Sequence, residues 1–140
     1  MRAWMKSHAR GIIASIGFVF AVQLPLAFGY LPLDGDVVRF FYPLHEWARE
    51  QGLSLTGQWL PLSGFGVPAG ANGQIGHFFL LNLPFFLPIP THAALGAATV
   101  LCLLVAAVGT YLLCRDYGAT ALGAVLAAGV FASMGAMLGH

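Results

Sequence analysis

Charge is what this chain has least of. Its 140 residues include six Lys or Arg and five Asp or Glu, 8% in all, where a soluble domain carries about 25%. So few charges cannot coat a chain that is 59% hydrophobic with a mean hydropathy of +0.81. Composition therefore overrules the single soluble domain that length alone suggests. It predicts a chain that hides most of its surface in lipid. The net charge of +1 and the lack of any basic run exclude a polyanionic partner such as nucleic acid. Cysteine is scarce too. Cys102 and Cys114 lie twelve positions apart in one apolar stretch, about 120° around a helix and roughly 18 Å along it, too far to pair. There is no Gly-rich phosphate loop, nucleophile elbow or cysteine pair of metal-ligand spacing. His45, His77 and His92 are too dispersed to form a metal motif. No metal site is expected from them, and no internal repeat is present.

What the chain does have is long apolar runs. Gly11 to Tyr30 is interrupted only by Gln23 and Pro25, and its length matches about 30 Å of bilayer hydrocarbon. Arg2, Lys6 and Arg10 precede it. A signal peptide competes here, because Ala27-Phe28-Gly29 resembles a small-residue cleavage site. The run is long for that, and two more apolar segments follow, 93–114 and 119–139. Between them Arg115-Asp116-Tyr117-Gly118 allows only a tight turn. Gly118 suits the left-handed position after a helix end, and Arg115 complements that helix's carboxyl end.

The expected fold class is all-α integral membrane: three transmembrane helices and a long external loop that contains an amphipathic interfacial helix. The distribution of Lys and Arg puts residues 1–10 and the 115–118 turn in the cytoplasm. Residues 31–92 then lie outside the bacterial inner membrane. Ala124, Ala128 and Ala132 form a small-residue line that predicts close packing against sister helices.

The loop opens with Leu33-Asp34-Gly35-Asp36. Over about residues 36–51 the apolar positions 37, 40, 41, 44, 47 and 48 fit one helix face, and Pro43 predicts a kink or a late start. With Phe40, Phe41 and Trp47 on that face, the helix is expected to lie in the membrane interface. A Gly-rich ordered loop runs from Gly57 to Gly76. The proline-broken apolar run from Phe78 to Pro90 is too short to span, and is expected to dip into the interface.

Gly35-Asp36, Arg39, Tyr42-Pro43, Gln58-Trp59-Leu60-Pro61, Gly64-Phe65-Gly66-Val67-Pro68, Ala71-Asn72-Gly73-Gln74, Phe78-Phe79 and Asn82-Leu83 occur in an order that resembles the first external loop of the YfhO-like bacterial membrane proteins. Tyr111 to Gly118 sits where that family places its second-to-third helix turn. The resemblance runs over about residues 11–140. One departure is Trp59-Leu60-Pro61, where family members often show Trp-Asn-Pro. These proteins are similar to the GT-C glycosyltransferases, which use polyprenyl-phosphate sugars. The resemblance therefore implies the amino-terminal part of such an enzyme, acting at the outer face. It further implies a lipid-linked sugar as partner, and downstream transmembrane helices without which the chain does not turn over.

Such chemistry needs a carboxylate at the membrane surface to take the acceptor hydroxyl proton, or to hold a divalent cation against the phosphate. A cation must also stabilise the leaving phosphate. Asp36 matches the family's loop aspartate, Asp34 is second choice, and Arg39 is the phosphate candidate. Asn72 and Gln74 are candidates to hydrogen-bond the sugar. The plainer readings stand beside these: Asp34 or Asp36 as a helix cap, Arg39 paired with Asp36 or Glu46, and Asn72-Gly73 as an ordinary turn. A rival from a different class is a non-catalytic structural or transport-associated membrane subunit.

Overall fold

The computed structural model describes residues 2–28, 36–50, 59–60, 66–68 and 79–134, and these are mostly helical. The chain divides into two compact units, Met1–Ala27 with Thr99–His140, and Phe28–Ala98.

In the first unit, α1 runs from Arg2 to Val22. It begins well before the predicted Gly11, because Arg2 to Lys6 are fair helix formers and no Gly or Pro interrupts them. It also ends early. Pro25 has no N–H, and its ring would meet the carbonyl four residues back. The helix therefore breaks at Gln23 and resumes as the four-residue α2, Leu24–Ala27. Helix α4 covers Thr91–Asp116, close to the expected 93–114, and its last 18 positions belong to this unit. Helix α5 covers Ala121–Ser133. Its 13 residues give about 20 Å, short of the roughly 30 Å of bilayer hydrocarbon. Met134 is already extended, and residues 135–140 lie outside the described set. Of the three predicted spans, only α4 is long and apolar enough among the described helices to cross a membrane; His8–Val22 and Ala121–Ser133 are shorter.

The α4–α5 connection is a Schellman turn. Gly118 takes φ +84, its N–H donates to the Arg115 carbonyl at 3.1 Å, and the Ala119 N–H donates to the Cys114 carbonyl at 2.9 Å. Arg115 donates from Nη1 to the Ala119 carbonyl at 2.6 Å. Thr120 then caps α5, its hydroxyl accepting from the Gly123 N–H at 3.1 Å.

The core of this unit is Val19, Leu103, Ala107, Tyr111, Ala124, Ala128 and Ala132. The small-residue line of α5 is thus buried inside the chain, with α1 as the helix packed against α5. A Cβ on Gly129 would lie 2.6 Å from Phe18 Cε1, so the glycine is what admits that ring. Gly11 does the same for Tyr111, whose ring and hydroxyl occupy the space of the missing side chain. Ser15 is buried there as well, and donates its hydroxyl hydrogen to the Gly11 carbonyl at 2.9 Å. Large apolar side chains also face outward. Ile13 and Phe20 of α1, Val105 and Leu113 of α4, and Leu122, Leu126 and Val130 of α5 are all exposed.

In the second unit, a π-turn over Val37–Phe41 leads into α3, Tyr42–Glu50. The Tyr42 N–H bonds to the Val37 carbonyl, five residues back. Pro43 explains this: it cannot donate, and the wider turn keeps its ring off the carbonyl of Arg39. Leu44 and Ala48 pack on Leu60, with Phe40 and Trp47 against them. Strand β1, Trp59–Leu60, pairs antiparallel with β2, Val67–Pro68. Gly66, at φ +87, sits where any side chain would strike the Trp59 indole. A 3-10 helix then covers Leu80–Phe86, and Phe85 packs with Ala94 and Ala98 at the start of α4.

Candidate functional site

Asp36 is the residue on which the resemblance converges, and it stands at the amino-terminal edge of the π-turn with φ −74 and ψ −38. A capping aspartate takes extended backbone and accepts an amide proton. Asp36 is helical and its side chain makes no capping hydrogen bond. The cap role weighed from sequence does not apply to it. The carboxylate is exposed, as is Arg39 three residues on in the same turn. Among the described residues no ion pair joins Arg39 to Asp36 or Glu46, and one Glu46 oxygen, Oε2, is buried without a hydrogen-bond partner. Asp36 and Arg39 are thus both exposed on one short segment, and α3, which follows it, packs through Leu44 and Ala48. Asp34, Asn72 and Gln74 lie outside the described residues, as does His77.

The anchoring of α3 goes further than its apolar face. His45, buried, stacks on Phe85 with ring centroids 4.2 Å apart and planes 12° from parallel. One turn later Arg49 donates to the Leu87 carbonyl at 3.2 Å and to Thr91 Oγ1 at 3.3 Å. Two polar side chains at i and i+4 therefore fasten α3 to the segment that leads into α4. Apolar periodicity does not register these contacts, because Arg49 lies off the apolar face it picks out. The one available signal was that His45 and Arg49 share a helix face. The third histidine of the dispersed set, His92, is exposed on α4. Among the described residues, no group of three His, Cys, Asp or Glu side chains could hold a metal ion.

Chemically, the Asp36–Arg39 segment offers a water-exposed base and a cation on one turn, with no ion pair between them among the described residues. Comparison with protein families, with characterised proteins and with solved structures returns no match to this chain.

Proposed function

We propose that this chain is a membrane-embedded part of a GT-C-type glycosyltransferase, with Asp36 and Arg39 at its reacting centre on the outer face of a bacterial inner membrane. The membrane half rests on the outward apolar side chains of α1, α4 and α5. In water such a surface would drive aggregation, whereas lipid covers it without cost. The catalytic half rests on the sequence resemblance together with one observation, the exposed Asp36 carboxylate that caps nothing.

In the reaction, the acceptor hydroxyl oxygen attacks the anomeric carbon of a polyprenyl-phosphate sugar, and the bond from that carbon to the phosphate oxygen breaks. Asp36 takes the hydroxyl proton. Arg39 balances the charge of the departing polyprenyl phosphate.

The test uses membrane vesicles from cells with the gene deleted, restored with the wild-type gene, or restored with Asp36→Asn, each supplied with labelled polyprenyl-phosphate sugars. Transfer to envelope material should disappear on deletion, return with the wild type, and stay absent with Asp36→Asn. Undiminished transfer in the deletion would remove the enzyme reading and leave a non-catalytic membrane protein.

A further inference from the structure

Two elements of the second unit were candidates to touch lipid, α3 and the apolar run after residue 78. We infer that the lipid contact belongs to the 3-10 helix, whose Leu80, Leu83 and Phe86 form an interfacial wedge in the acyl-chain margin of the bilayer. This inference rests on the membrane reading above.

The first observation concerns α3. On its apolar face Leu44 and Ala48 are buried against Leu60, and Phe40, Phe41 and Trp47 are half-buried. That face therefore offers lipid less than a fully exposed apolar file would.

The second is periodicity. A 3-10 helix has three residues per turn, so residues three apart stand in one file. Leu80, Leu83 and Phe86 make one such file and are 72%, 57% and 54% exposed. Pro84 and Phe85, on the other two files, are buried, and Leu81 and Asn82 are half-buried. A nearly continuous apolar sequence is thereby sorted into a fastened side and an open side. Phe79 and Leu87, just outside the two ends of the 3-10 helix, are exposed as well.

The third is backbone satisfaction. A segment immersed in apolar surroundings must pair its amides locally. The Asn82 N–H donates to the Phe79 carbonyl at 2.9 Å, that of Leu87 to Pro84 at 3.1 Å, and that of Ile89 to Leu87 at 2.8 Å. Pro84, Pro88 and Pro90 have no N–H to strand.

The chain itself indicates what covers the open file. Leu87 is separated from Thr91, the first residue of the long apolar α4, by Pro88, Ile89 and Pro90. Four residue steps reach at most about 14 Å, so Leu87 at the end of the wedge stays within about half a hydrocarbon thickness of the start of α4. His45 and Arg49 hold its fastened side to α3. The open side is then directed to lipid.

The test places a nitroxide on Leu83→Cys, with Asn82→Cys and Val105→Cys as references and Cys102 and Cys114 replaced by alanine. The proteins are reconstituted in vesicles of phosphatidylcholine and phosphatidylglycerol. Collision with oxygen should exceed collision with a water-soluble nickel chelate several-fold at Leu83, as it should at Val105 in α4, while Asn82 should be low for both. Nickel-favoured collision at Leu83 with oxygen-favoured collision at Val105 would overturn the wedge and leave the membrane reading standing. Nickel-favoured collision at Val105 would overturn the membrane reading, and the wedge with it. Low collision with both reagents at Leu83 would mean a protein surface covers the file, which also overturns the wedge. If the cysteine-free background does not fold, benzoyl-phenylalanine at position 83 of the otherwise unaltered chain gives the same decision. A lipid adduct supports the wedge, and a protein adduct or none refutes it.

Discussion

Gly11→Ala and Gly17→Ala are the same substitution on the same helix, yet they should change stability in opposite directions. In a helix interior alanine is favoured over glycine by about 1 kcal/mol. Nothing lies within 4 Å of a Cβ built on Gly17, so Gly17→Ala should stabilise by up to that amount. A Cβ on Gly11 would overlap the ring and hydroxyl of Tyr111, which is 1% exposed. Overpacking of this kind costs about 1–3 kcal/mol, so Gly11→Ala should fall below Gly17→Ala by about that difference. Tyr111→Ala leaves a cavity and should cost about 3–5 kcal/mol by analogy with other large-to-small core changes. In the Tyr111→Ala background the methyl at position 11 meets empty space, and its penalty should vanish. The assay is loss of far-ultraviolet circular dichroism as a denaturing detergent is titrated into mixed micelles. A coupling between positions 11 and 111 of at least about 1 kcal/mol is expected. Additivity within about 0.5 kcal/mol would refute the packing of α1 on Tyr111.

Further outcomes follow from the same geometry. Gly118→Ala puts a side chain at φ +84 and should cost about 1–2 kcal/mol in the same titration. Thr120→Ala removes a cap that is made and should cost about 1 kcal/mol, whereas Asp36→Ala removes none and should stay within about 0.5 kcal/mol. Arg49→Ala deletes both bonds to the 87–91 segment and should destabilise by about 1–3 kcal/mol. Limited proteolysis should then show faster cleavage near Leu87.

Some of this was legible in the sequence because a single residue decides it. Gly118 announced its left-handed turn, and the uncharged stretch 93–114 announced α4 to within two residues at each end. Pro43 signalled a disturbed helix start, although only the structure shows that the disturbance is a π-turn. Hydropathy misjudged the first helix for two reasons. It does not register that Arg2 to Arg10 form helix as readily as the apolar residues after them. It also does not register that Pro25 withholds a hydrogen bond. The small-residue line of α5 predicted close neighbours, and α1 of the same chain is one. The open file of the 3-10 helix was hidden for another reason. Leu80 to Phe86 is apolar at nearly every position, so only backbone geometry separates the exposed third of it from the rest. For the site, Asp36 and Arg39 lie three residues apart and are both exposed, while Asp34, Asn72 and Gln74 fall outside the described residues.

In the proposed reaction the Asp36 carboxylate reacts rather than supports. This claim is tested most directly by measuring sugar transfer and unfolding midpoint side by side for the wild type and Asp36→Asn. A general base contributes about 100- to 10,000-fold to rate. Transfer is therefore predicted to fall by at least about 100-fold while the midpoint stays unchanged. A rate within about twofold of the wild type, at equal stability, would contradict the claim, since a lost base costs far more than that.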